Sequence, residues 1–268
     1  MRAFKLTMSY DGAAYAGWQV QSNQTTVQSV VEAALARITG GMVRVAGSGR
    51  TDSGVHALGQ VVSFQSPTRL SPETLRNALN AELPRDMAAL KVEEAPIGFH
   101  ARLDASGKRY RYWLNDGPVP DVFRRLHSWH VRQPLDCDAM HRAAQAFVGE
   151  HDFRSFASRW PEDLHSTRTI YEATLRRENL PDSPTLIVFE VAGSGFLYNM
   201  VRTMVGTLVE VGRGAKPECW PAEVLSRTDR NEAGMTAPPQ GLFLVSVDYP
   251  TEATALGQRQ MNDDELGE

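Results

Sequence analysis

With 268 residues, 42% hydrophobic and 22% charged, the chain has the make-up of a globular protein of one large or two ordinary domains, and no apolar run approaches the length of a membrane span. A formal net charge of -4 argues against a uniformly basic nucleic-acid binder, because phosphate neutralisation dominates that affinity; any such polymer must meet a local basic patch. The start, Met1-Arg-Ala-Phe-Lys-Leu6, lacks the apolar core of a signal peptide, and Cys137 and Cys219 stand far apart and outside any metal-ligand spacing, so the expectation is a cytoplasmic protein.

Phe4, Leu6, Met8 and Tyr10 alternate with polar neighbours and predict a half-buried strand over 2–10. Thr25 and Gln28 have the spacing of a capping box, followed by a helical stripe of Val27, Val30, Val31, Ala34, Leu35 and Ile38 that Gly40-Gly41 ends. Val61 to Phe64 reads as a strand, and Ser71-Pro72 opens a second helix with the stripe Leu75, Ala78, Leu79 and Leu83. After Ser106-Gly107 a strand is expected with Tyr110, Tyr112 and Leu114 on one face and Arg109, Arg111 and Trp113 on the other. A Pro/Asp-rich connection over 116–121 leads to a third helix holding Met140, Ala143, Ala144, Phe147 and Val148. A strand over 186–191, a long helix over 200–211 ended by Gly212, and a strand over 242–249 complete the plan. Strands mixed with helices at this spacing predict α+β architecture, and the element order repeats roughly from residue 105. Residues beyond about 251 read as a disordered acidic tail.

The run Gly47-Ser-Gly-Arg-Thr-Asp-Ser-Gly-Val-His56 carries the chemistry. Glycines let its backbone bend sharply, and an arginine near Asp52 would hold the carboxylate ionised, as a nucleophile or general base requires. It is not a phosphate loop, which needs Lys-Ser/Thr after its last glycine, nor a dinucleotide fingerprint, nor a calcium loop with its alternating acids. A glycine-rich turn with a capping aspartate remains open on spacing alone. Basic residues gather in the sequence at Lys108, Arg109 and Arg111, at Arg124-Arg125, and at Arg154, Arg159 and Arg168; each group is either a solvated face or part of a positive cleft. His127 and His130 lie three apart with no nearby third ligand, so no metal site is expected there. Phe153 and Phe156 are expected in the core, and Trp18 and Gln19 in the wall of a cleft.

The run from Gly47 to Phe64 resembles the catalytic signature of the tRNA pseudouridine synthase A family. Further stretches are similar to the same family in order: Tyr10-Asp-Gly12 with Tyr15-Ala-Gly-Trp-Gln19, Lys108-Arg-Tyr-Arg-Tyr112, His151-Asp-Phe153, Phe196-Leu-Tyr-Asn-Met-Val-Arg202, Val205-Gly206, Gly212-Arg-Gly214 and Ala237-Pro-Pro-Gln-Gly-Leu242. Together they span about residues 3 to 250.

The resemblance implies two ferredoxin-like or RNA-recognition-like halves, over 1–105 and 106–250, with antiparallel sheets joined around a central cleft and helices on one side. It implies a cofactor-free isomerase, with no metal and no nucleotide, that turns uridine into pseudouridine in the anticodon stem-loop of tRNA at positions 38 to 40. Asp52 would be the nucleophile, and Arg202 would pair with it. Tyr110 would stack on the base or help move a proton. Arg50, Lys108 and His56 join Tyr110 as candidate RNA contacts, with a structural role in the loop equally open for Arg50 and His56. A homodimer, so that one tRNA rests across both subunits, is also implied. Two rivals stand beside this reading: a non-catalytic RNA-binding module, and a glycosidase-like hydrolase that would need a second carboxylate, with Glu190 the distant candidate.

Overall fold

Period-two and period-3.6 patterns become strands and helices across residues 1–158, 165–178 and 185–250, which the computed structural model describes; Arg159 and the tail 251–268 lie outside the described residues. The elements run β1 (Arg2–Tyr10), α1 (Val27–Thr39), β2 (Val45–Gly47), β3 (His56–Ser66), α2 (Pro72–Glu82), β4 (Met87–Ala95), β5 (Gly107–Asn115), β6 (Trp129–His130), α3 (Cys137–Ala144), β7 (Gly149–Asp152), β8 (Thr167–Glu178), β9 (Leu186–Gly193), α4 (Met200–Gly212), α5 (Trp220–Arg227) and β10 (Leu242–Asp248). This is α+β architecture. No helix among the described residues is long and apolar enough to cross a membrane.

One sheet runs in the order β4-β1-β3-β10-β5-β9-β8-β7, with β2 also on β3 and β6 also on β5. Pairing is antiparallel except at β3–β10 and β5–β6. The last strand therefore sits at the middle of the sheet. β10 meets β3 through Phe243 opposite His56 and Leu244 opposite Ala57, and meets β5 along Leu242 to Asp248. That single strand joins the strands formed before residue 96 to those formed after residue 106.

Register fixes which side chains share a face. Tyr10 pairs with Ala57, Ala57 with Leu244, Leu244 with Tyr110, Tyr110 with Val191, and Val191 with Ala173. All six are buried. Each fully buried apolar side chain on this face, such as Leu6 or Phe189, is worth about 1.5–3 kcal/mol. Phe243, Arg111, Glu190 and Thr174 occupy the opposite face. Antiparallel sheets tolerate one such solvated side.

Three local details differ from the sequence expectation. Helix α3 ends at Ala144, so Phe147 falls in a following 3₁₀ turn and Val148 lies beyond it. The cap of α1 is Thr26, whose hydroxyl accepts from the Ser29 amide, one residue later than the expected Thr25 box. Gln28 is used elsewhere: its amide donates to Glu32 and to the Val45 carbonyl, tying α1 to β2. In β8, a register shift between Ile170 and Glu172 breaks the period of two, so the alternation that marks a strand is absent from its sequence. The second helix begins as read, with Ser71 capping Thr74 and Pro72 at the first turn. Cys137 and Cys219 are both free.

Candidate active site

The Asp52 loop connects β2 to β3 and is held from beneath by two glycines in the preceding segment. Gly17 has a positive φ of 91°, and a Cβ there would come within 2.7 Å of the Thr51 carbonyl. A Cβ on Gly12 would lie 1.9 Å from the Val55 carbonyl. Only glycine permits both approaches. The Trp18 amide donates to the Thr51 carbonyl, and its buried ring packs on Gly47, so Trp18 supports the loop rather than lining a wall; Gln19 is exposed.

A buried polar network fixes the loop further. The Gln60 amide donates to the Gly49 carbonyl at 3.0 Å and to Tyr10 Oη at 3.4 Å, while Ser48 Oγ donates to Gln60 Oε1 at 2.6 Å. Tyr10 Oη also shares a hydrogen bond with Thr51 Oγ1, 2.8 Å away. Tyr10, Ser48, Thr51 and Gln60 are all buried, so each satisfied bond is costly to break. Sequence reading did not single out this network. The signal was Gln60, a polar residue heading the apolar run Val61-Val62.

Arg202 lies in the first turn of α4 and reaches Asp52 with Nη1 to Oδ2 at 2.8 Å. The same nitrogen donates to Asn199 Oδ1 at 2.9 Å, and Nε donates to the Ala237 carbonyl at 2.7 Å. The ion pair has a single contact, not the two-point fork a guanidinium can offer a carboxylate: Nη1 is shared with Asn199, and Nε turns to the Ala237 carbonyl. Asn199, in the left-handed region at φ 63°, stands at the N-cap position of α4, its side-chain oxygen turned to Arg202 rather than to the helix amides. The segment around Ala237 is itself pinned: Tyr112 Oη donates to the Pro238 carbonyl at 2.7 Å. Thr207 Oγ1 accepts the Gly234 amide at 3.0 Å. A continuous set of bonds thus runs from β5 through residues 234–238 to Arg202 and Asp52.

Tyr110 stands two residues before Tyr112 on the same face of β5, with its ring edge-on to Phe196 at 5.0 Å between centroids. Burial, followed by the charges of Tyr10 and Asp52, pushes its phenol far above the ordinary range, so it is neutral and protonated at physiological pH. Lys108 reaches the same place. A Cβ built on Gly49 would be 3.5 Å from Lys108 Nζ and 3.8 Å from Tyr110 Oη. Burial and the neighbouring charges of Arg102 and Arg168 lower the basicity of Lys108. Arg168 packs beside Gly195, ahead of α4. Arg50 is exposed, and its side chain makes no hydrogen bond or ion pair among the described residues.

Other predicted residues are not brought to this place. His56 shares a face with Phe243 and stacks on it at 4.7 Å between centroids, on the side of the sheet opposite Tyr110. Its imidazole is 1% exposed, and Nε2 contacts the Leu126 and Gln240 carbonyls. Of the readings open for His56, this placement fits the structural one. Arg109 pairs with Glu172, and Arg111 with Glu190, on that same opposite face, so alternation along β5 splits the expected basic flank and leaves Lys108 at the site. Glu190 is gripped by Arg111 at 2.6 Å and Arg176 at 2.6 Å, away from Asp52. The hydrolase reading loses its second carboxylate. His130 bonds the Gly117 carbonyl, while His127 turns away to Asp11. Phe153 and Phe156 are fully buried, in the core as read.

The sequence profile of the family described as tRNA pseudouridine synthase matches residues 6–104 and 143–250 of this chain. The chain is 49% identical over 252 residues to tRNA pseudouridine synthase A of Moorella thermoacetica, 47% over 249 residues to that of Pelobacter propionicus and 45% over 249 residues to that of Brevibacillus brevis. Each alignment covers 93% of this chain and 100% of the relative.

Proposed function

This chain belongs to the tRNA pseudouridine synthase family, a family of isomerases, and from that premise we propose that it converts uridine to pseudouridine at positions 38 to 40 of the tRNA anticodon stem-loop, with Asp52 as nucleophile. The observation that carries the reading is the placement of the Asp52 carboxylate. It sits on a loop fixed from below, 2.8 Å from Arg202, near a neutral buried tyrosine.

The target base leaves the helix stack at a cost of a few kcal/mol. Asp52 forms a covalent adduct with the everted nucleoside, the C1′–N1 bond breaks, the uracil turns and C5 joins C1′; the adduct then breaks to return Asp52 as a carboxylate, and the proton lost from C5 is matched by one gained at N1. Atoms and electrons balance within the nucleoside, so no cofactor enters. Tyr110 stacks on the base, a contact worth about 1–3 kcal/mol. As a neutral phenol it serves as stacking surface and hydrogen-bond donor; its high pKa disfavours a phenolate base. Arg202 aims the carboxylate as a positioning residue. Lys108, beside Tyr110, faces the RNA backbone, and exposed Arg50 fills the space the base vacates or binds phosphate.

The two halves, 1–105 and 106–250, supply complementary parts: Asp52 from the first, Lys108, Tyr110 and Arg202 from the second. We place the enzyme in the cytoplasm as a homodimer across which one tRNA lies, chosen by backbone shape and easily extruded bases rather than base-edge readout. Incubation of purified protein with unmodified tRNA tests this reading. Pseudouridine mapped at 38–40, without added nucleotide, is the expected product. Free uracil, or RNA binding with no turnover, would overturn it.

A further inference from the structure

The chain has 32 acids and 28 bases, so partners for its cations are plentiful, and the arginines on the solvated face of β5 are paired: Arg109 with Glu172 and Arg111 with Glu190. Around Lys108 the opposite holds. Its ammonium makes no hydrogen bond or ion pair among the described residues, and the charges acting on it are two guanidiniums, those of Arg102 and Arg168. Arg102 is exposed, and its side chain is likewise without a partner among the described residues. Arg168 Nη1 donates to the His165 and Thr167 carbonyls at 2.8 and 2.6 Å, which holds the side chain and leaves Nε and Nη2 unspent among the described residues.

Topology brings these three to one opening in the sheet. β10 pairs with β3 only at Phe243 and Leu244, then runs on with β5 as far as Asp248, while β3 runs on with β2 over residues 62–64. Beyond that junction the two sets of strands part. The Asp52 loop leaves β2 on one side of the gap, and Lys108 stands near the start of β5 on the other. The ammonium spans it: a Cβ on Gly49 would be 3.5 Å from Lys108 Nζ. The segment before Arg102 is tied across the same gap, the Ala101 amide donating to Ser63 Oγ of β3 at 3.0 Å and its carbonyl accepting from Tyr249 Oη, just after β10, at 2.7 Å. Lys108 lies opposite Gly193 on β9, and Gly193 opposite Ile170 on β8, two residues from Arg168. Arg168 then lies against Gly195, where a Cβ would be 3.4 Å from its Nε.

An ammonium drawn out of water is ordinarily paired, and one set beside two guanidiniums suffers both desolvation and repulsion. An anion among the three removes both costs, and guanidinium forks suit the oxygens of a phosphate. We propose that Lys108, Arg102 and Arg168 form a cradle for one backbone phosphate of the tRNA, a linkage that joins the target nucleotide to its neighbour. The assignment rests on the reading of this chain as a tRNA-uridine isomerase. Gly49, against which Lys108 lies, is three residues from Asp52, so the cradle adjoins the place where the carboxylate meets the nucleoside. A nucleotide leaves the stack by turning about its flanking phosphates. Holding one of them sets the position of the ribose without reading any base edge.

The test measures binding of an RNA anticodon stem-loop to the full chain, once with ordinary linkages and once with neutral methylphosphonates on both sides of the target uridine. Lys108→Met should raise Kd about tenfold, the scale of a hydrogen bond to a charged group, and lower the salt slope of log Kd by up to about one. Arg102→Met and Arg168→Met should act in the same direction, and pairs should lose less than the product of the singles, because one anion is shared. Methylphosphonate RNA should cost the parent about tenfold more affinity than it costs Lys108→Met. Arg109→Met, on the opposite face, should bind as the parent does. If Lys108→Met does not fold, exposed Arg102→Met completes the same cycle. Parent affinity in these variants, or a loss that persists undiminished on methylphosphonate RNA, would overturn the proposal. So would methylphosphonate RNA bound as tightly as ordinary RNA while inorganic phosphate, at matched ionic strength, still displaces it, since the cradle would then take free anions. The expected binding without pseudouridine formation would keep the cradle and overturn the isomerase reading instead.

Discussion

Asp52 and Arg202, 150 residues apart in the chain, meet through one nitrogen–oxygen contact of 2.8 Å, while the same nitrogen also bonds Asn199 and Nε bonds the Ala237 carbonyl. The arginine is thus a bracket with three attachments, and the carboxylate is one of them. Arg202→Lys keeps the charge but cannot hold Ala237 and Asp52 together from one ammonium group. Its kcat should fall about 100-fold, the scale of an ångström misplacement, with KM nearly unchanged in steady-state assays on tRNA. Parent-like kcat would show that charge alone suffices.

Tyr10 never touches the nucleoside in this account, yet it should matter. Tyr10→Phe removes the hydroxyl that links Thr51 to Gln60. A buried hydrogen bond of this kind is worth about 0.5–1.5 kcal/mol net, so kcat should drop up to about tenfold and Tm by a few degrees. Thr51→Val should give a similar loss, and the double variant less than the product of the two, because both break the same bond. Full additivity in kcat would separate the residues.

Tyr110 is held neutral by burial, which divides its two candidate roles. Tyr110→Phe should retain tRNA affinity, since the ring still stacks, and Tyr110→Leu should lose about 1–3 kcal/mol of it. Between pH 6 and pH 9 the kcat/KM profiles of parent and Tyr110→Phe should have the same shape. A limb present in the parent and missing from Tyr110→Phe would restore the phenol as a titrating group.

Away from the site, Asp116 provides a pH-dependent contribution to stability. Burial pushes its carboxyl up, but the fork from Arg177 at 2.8 Å on each oxygen and the Leu135 amide outweigh it, so the net shift is down from 3.8. A depressed carboxyl contributes stability that is complete above its unfolded pKa and lost as pH falls through the lowered folded value. Arg177→Met should cost about 1–3 kcal/mol at pH 7 by urea unfolding, discounted for the partial exposure of the arginine. That deficit should shrink as pH falls below 3.8. A gap of constant size into acid would contradict the assignment.

What the sequence disclosed follows from the range of the forces involved. β1, α2 and α4 are legible because caps and periodicity act within a few residues: Ser71 caps Thr74, and α4 ends at Gly212. The Asp52 loop stands out because a charged pair among glycines has few local uses. Pairings across the chain leave no such mark. Nothing near His56 announces that β10 lies beside it and turns it to the face of Phe243, nor that Asp11 and His127 will meet it there. The split of Lys108 from Arg109 and Arg111 was implicit in the alternation of β5, but which face carries the chemistry depends on where Asp52 is delivered.

The central claim is that one carboxylate, aimed by Arg202, attacks the target nucleoside. Asp52→Asn tests it most directly, since the amide keeps the shape and loses the nucleophile. Under single-turnover conditions with unmodified tRNA, the variant should bind RNA with parent affinity and form pseudouridine at least about 10⁴-fold more slowly, the scale of losing a group essential to chemistry. Pseudouridine formation at the parent rate by Asp52→Asn would contradict the account.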